Sequence, residues 1–118
     1  MSYYLAKLCY EIICGDGSHT PQFEEQIRLL ESVSRQEALV AAKEIGYQEL
    51  LVWQYGNNTR VEWKFLGITE LIRLPALAHG AELYQSHREI EYADGYRNFV
   101  KDKTNQLQQF PEHAIDSI

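Results

Sequence analysis

A chain of 118 residues with a formal charge of -6, whose 11 Lys and Arg are scattered, lacks the basic field that sequence-independent nucleic-acid or anionic-membrane binding requires. Its 45% hydrophobic content, with eight Tyr, four Phe and two Trp, excludes a disordered chain, and its length suits one domain that can bury a core without staples. No apolar run approaches the ~18 residues of a membrane span, and Lys7 and Glu11 interrupt the N-terminal MSYYLAKLCYEIICGDG, which has no basic leader, so a cytoplasmic protein is expected.

From Tyr3 to Cys14 the even positions Tyr4, Ala6, Leu8, Tyr10, Ile12 and Cys14 are apolar or nearly so, which predicts a strand with its even face in the core. The odd face mixes Tyr3, Leu5, Cys9 and Ile13 with Lys7 and Glu11; it is too apolar for plain solvent and calls for a cover, either a C-terminal segment or a second subunit. Cys9 and Cys14 fall on opposite faces of that strand and are read as reduced thiols.

Gly15 to Pro21 is a cluster of turn formers. Two patterns compete in the segment after it. Thr20 as N-cap, Pro21 and Glu24-Glu25 begin a helix, whereas Phe23, Ile27, Leu29 and Val33 alternating with Gln26, Arg28, Leu30 and Ser32 make a strand. Ser34-Arg35-Gln36-Glu37 is a capping box, followed by a helix on Ala38, Leu39, Ala41, Ala42 and Ile45 that Gly46 is expected to stop.

QELLVWQY, from Gln48 to Tyr55, predicts a strand turned by Gly56-Asn57-Asn58 into the long stretch Thr59 to Leu74. There Val61, Trp63 and Phe65 alternate and Ile68, Ile72 and Leu74 resume one position out of phase, so a bulge is expected at Leu66-Gly67, with Glu70 inward between Ile68 and Ile72. An inward Glu70 needs Arg28, Lys64, Arg73 or a Tyr hydroxyl as partner. Ala81 to Ile90 is read as a last strand, Asp94 to Leu107 as a helix docking through Tyr96, Phe99 and Val100, and residues 108–118 as a tail.

These residues carry a resemblance. The run from Tyr3 to Gly46, then VEWKFLGITELIRL, then HGAELYQSHRE, resembles the bacterial family catalogued as domain of unknown function 4288, over roughly Tyr3 to Val100. Its specific pieces are Trp63-x-Phe65-x-Gly67 followed by Glu70-Leu71, and Phe23-x-Glu25-Gln26 leading into Ser34. The resemblance implies a strand for Phe23 to Val33; it implies no activity and no catalytic residues.

Reactive side chains gather only around the first loop, where Cys14, Asp16, His19, Thr20, Glu24 and Glu25 lie close in sequence. Cys14, His19 and Asp16 are the types a thiolate nucleophile uses, but an acidic loop after a core-facing thiol is a poor setting for one. No His or Cys pair has metal-ligand spacing, so neither a metal nor a cofactor is expected.

The fold expected is α+β: an antiparallel sheet of four to six strands with two helices in ββαβββα-like order, one domain over residues 1–107. The function expected is a non-enzymatic binding or protein-interaction module, a homodimer or the partner of another protein, with Asp16, His19, Glu25, Glu70 and Trp63 as binding candidates. The rival is a small-molecule enzyme with a polar site around His19, Asp16 and Glu70.

Overall fold

The computed structural model describes residues 1–48, 52–55 and 59–109, with the backbone alone for 52–55 and 59. Among the described residues six elements follow in order: β1 (Ser2–Cys14), β2 (Gln22–Ser32), α1 (Arg35–Gln48), β3 (Val52–Tyr55), β4 (Thr59–Arg73) and α2 (Ala93–Gln109). The chain divides into two compact units, Met1–Tyr84 and a second that begins at Gln85.

The first unit is an antiparallel sheet with a helix on one face. Three long strands in the order β2-β1-β4 build the sheet, and the four-residue β3 adds to the start of β4. The strands, three long and one short, stand at the lower bound of the expected four to six, and the expected ββαβββα order is corrected to ββαββα. Among the described residues, 74–92 contain no strand, because the polar run after Leu83 and Tyr84 offers no apolar alternation to bury. The predicted turn at Gly56-Asn57-Asn58 lies outside the described residues, as do residues 110–118.

β2 is a strand, as the family resemblance implies; the competing helix start at Thr20-Pro21 is not used. Pairing with β1 decides it, since β2 matches β1 from Ser2↔Ser32 to Ile12↔Gln22 without a slip, and such a ladder outweighs local helix signals. Ser34 caps α1 as expected, its Oγ accepting the Glu37 N–H at 3.1 Å.

Tyr4, Ala6, Leu8 and Tyr10 on the even face of β1 are buried with Leu30 and Phe65 beneath Ala38 and Ala42 of α1. Small residues let α1 lie close to the sheet. Gly46, expected to end the helix, is instead buried within it. A Cβ there would sit 2.5 and 2.8 Å from Cζ and Cδ1 of Phe65, so the position needs glycine for close approach. Tyr10 donates to the Gly46 carbonyl at 3.3 Å, and Tyr47 meets Phe65 edge-on at 4.9 Å, which fixes the helix over the ring.

β4 carries two irregularities against β1. Tyr10 faces Phe65 but Cys9 faces Gly67, and Leu8 faces Ile68 but Lys7 faces Glu70, so Leu66 and Thr69 are extra residues. The first is the bulge read from the sequence, with Gly67 at φ +153° where a side chain is strained. The second resets the phase: Leu71 packs against the core, while Glu70 and Ile72 lie opposite Lys7 and Leu5 on the other face. The inward register expected for Glu70 is thereby overturned.

In the second unit, α2 runs to Gln109, slightly into the stretch expected as a tail, and none of its residues is buried. Tyr96 stacks on Phe99 at 6.3 Å, and Arg97 pairs with Asp94 at 2.8 Å.

Candidate functional site

The face of the sheet opposite α1 carries the odd residues of β1 and their partners. Lys7 opposes Ile27 on β2 and Glu70 on β4, and Glu25 lies across from Cys9 one step along the same face. A lysine in the middle strand of an apolar sheet face must find partners on its neighbours. It has three: its Nζ donates to the Tyr84 hydroxyl at 2.8 Å and pairs with Glu25 Oε2 at 3.3 Å and Glu70 Oε2 at 3.6 Å.

Tyr84 closes the set by donating to Glu70 Oε1 at 3.2 Å. Glu70 Oε2, buried, relies on the ammonium alone and has no hydrogen bond among the described residues. The Tyr84 hydroxyl, with Glu25 and Glu70 behind it, holds the Lys7 ammonium well above the ordinary lysine range, against the opposing pull of burial. A lysine so held stays charged and is a poor nucleophile or base near neutral pH.

The β1–β2 loop is a separate feature, closed on itself. Cys14 N–H donates to His19 Nε2 at 2.9 Å, so Nδ1 carries the ring proton and donates to the Thr20 carbonyl at 2.8 Å. Both His19 nitrogens are thus spent on backbone. Asp16 Oδ1 accepts the Ser18 N–H at 2.9 Å, and this bond holds its carboxyl below the usual carboxylate range. Gly15 N–H donates to the Arg60 carbonyl at 2.6 Å, tying the loop to the start of β4.

Of the five binding candidates, the structure brings Glu25 and Glu70 together on Lys7, and it places Asp16 and His19 in the loop. Cys14 lies seven positions beyond Lys7 on β1, a span of roughly 23 Å. Trp63 belongs elsewhere, packed partly buried against the core on the α1 side. The Tyr hydroxyl foreseen as a partner for Glu70 is that of Tyr84. Lys7 was missed, although a lone cation on the odd face of an apolar strand was the signal for it.

Cys9 Sγ lies 3.4 Å from Thr69 Oγ1, and both cysteines are free thiols. Among the described residues no three His, Cys, Asp or Glu gather as a metal site, and no helix is long and apolar enough to cross a membrane. A cleft of about 300 Å³ lies between the start of α1 and β4, with Arg35, Leu39, Ile68 and Thr69 among its walls.

The last feature of the face is apolar. Phe23, Ile27 and Leu29 stand in one row on β2, 62%, 52% and 56% exposed, on the strand that forms one edge of the sheet.

A helix on one face of an antiparallel sheet, with a charged cluster and an apolar row on the other, defines a small two-layer α+β domain. The model of the family described as Domain of unknown function (DUF4288) matches residues 3–85. The chain belongs to that family. The match ends at the boundary of the first unit, short of the Val100 that the resemblance was expected to reach, so α2 lies outside it. Comparison with curated proteins and with solved structures found no match.

Proposed function

We propose that this chain is a protein-interaction module that associates with a second copy of itself through the β2 side of its sheet. The observation that carries the reading is the row Phe23, Ile27 and Leu29, exposed on an edge strand. Single exposed apolar side chains are ordinary; three on one face of an edge strand, in a row broken by Glu25 alone, are what an interface presents.

The surrounding chemistry supports binding over catalysis. Lys7 is neutralised by its own neighbours, both His19 nitrogens are engaged, and Asp16 and His19 stand far along the strand from Glu70. None of these groups has the base-and-nucleophile geometry that a reaction needs. We place the chain in the cytoplasm, a reading supported by its two free thiols.

The test is sedimentation of the wild type and of a Phe23→Ser/Leu29→Ser variant at micromolar concentration. The wild type is expected to be dimeric and the variant monomeric, with the same far-UV circular dichroism. A variant that associates as well as the wild type would remove the β2 row from the interface.

A further inference from the structure

We infer that two copies join strand to strand, β2 against β2, antiparallel about a two-fold axis that passes through Gln26. The inference rests on the interaction reading above and specifies its geometry.

β2 is an edge strand of 11 residues without proline, paired to β1 along its whole length without a register shift. Among the described residues its outer edge makes no backbone hydrogen bond. An edge of that length and regularity is a template for another strand.

The other exposed edge is blunted. Beyond Glu62, where pairing with β3 stops, β4 bears both register shifts, and the Arg35 guanidinium donates to the Leu71 carbonyl at 2.8 Å. Bulges and a side chain on the edge carbonyl both obstruct strand addition there.

The side chains of β2 then choose the register. Two sheets joined about an axis normal to their plane keep their faces, so the axis passes through a residue and each side chain meets one of the same face. On the even face, Gln26 Nε2 donates to Glu24 at 2.8 Å, and Arg28 Nη2 donates to Gln26 Oε1 at 2.8 Å. Acid, amide and base thus form a ladder along one strand.

Centred on Gln26, that ladder meets its own reverse, with Glu24 opposite the second copy's Arg28 on both sides of the axis. On the odd face Phe23 meets Leu29 of the second copy and Glu25 meets Ile27. A centre at Ile27 would set Phe23 against Glu31 and Leu29 against Glu25. A centre at Glu25 sets that carboxylate against itself. Opposite charges and apolar pairs across strands favour a register, and like charges oppose it.

The experiment is charge reversal with a cross-link. Glu24→Arg and Arg28→Glu are each expected to weaken self-association about tenfold, and the double reversal to restore it, with circular dichroism showing each variant folded. Gln26→Cys, in a Cys9→Ser/Cys14→Ser background, is expected to form a covalent dimer on mild oxidation, since the axis sets that position against its own copy. If the wild type associates but the double reversal fails to restore it and Gln26→Cys does not cross-link, the strand pairing is overturned while the interaction reading stands. A wild type monomeric throughout overturns both.

Discussion

Lys7 of β1 and Glu70 of β4 face each other across paired strands, with Nζ 3.6 Å from Oε2 and the Tyr84 hydroxyl bonded to both. The pair exists because a second irregularity at Thr69 turns Glu70 away from the α1 face. Removing one member takes a partner from each group bonded to it, including the buried Glu70 Oε2, and costs more than the pair contributes net. Tyr84→Phe, Glu70→Leu and Lys7→Met are each expected to lower Tm, and Lys7→Met/Glu70→Leu less than the sum of its single changes. Additive losses in thermal melts would mean the two groups are not coupled.

The same cluster sets a pH dependence. Lys7 holds its proton more tightly in the fold, through Tyr84 first and then the carboxylates, and Tyr3 does so through its hydrogen bond to Glu31. Groups with raised pKa stabilise fully below their unfolded values and lose that contribution as pH rises through the folded ones. Stability should therefore fall above about pH 10, and Tyr84→Phe should flatten that fall. Asp16 works in the opposite sense, because the Ser18 N–H lowers its pKa. Its contribution is present above about pH 4 and is lost on acidification. Urea midpoints measured across pH check both limbs.

Gly46 and Phe65 make a packing test. Alanine favours a helix by about 1 kcal/mol over glycine, but a Cβ at Gly46 would enter the Phe65 ring. Gly46→Ala is expected to destabilise by about 1–3 kcal/mol, as overpacking does. Gly46→Ala/Phe65→Leu should recover part of the loss. A stabilised single variant would show that α1 does not lie close to the sheet at that turn.

Gly67 tests backbone shape alone, since nothing lies within 4 Å of its would-be Cβ while its φ is +153°. Gly67→Ala is expected to cost about 1–3 kcal/mol through strain. His19→Ala leaves the Cys14 N–H without its acceptor and should cost about 1 kcal/mol. Denaturant unfolding reads both, and a neutral result at Gly67 would argue against the bulge.

Much of the fold was legible in the residues, for physical reasons that differ by position. The even face of β1 could be read because Tyr4, Ala6, Leu8 and Tyr10 alternate without a break and all are buried. The bulge at Leu66-Gly67 was visible because the apolar phase slips there. The second irregularity was hidden because Leu71 and Ile72 are both apolar, so either could face the core, and Leu71 does.

Gly46 resembled a helix stop because glycine serves both as a terminator and as a point of close approach; only the Phe65 ring tells them apart. Glu25 and Glu70 are two of the five binding candidates that the residues offer, and a Glu70 turned inward calls for a partner. Their meeting on Lys7 depends on strand order, β2-β1-β4, which local patterns do not encode.

The claim that β2 carries the interaction is most directly tested by amide hydrogen exchange measured as a function of protein concentration. Dimerisation through β2 should slow exchange at alternate outward-facing amides between Gln22 and Ser32 as concentration rises through the micromolar range, while β1, paired on both sides, stays unchanged. Exchange in β2 that is independent of concentration, in a sample that sedimentation shows to be monomeric, would contradict it.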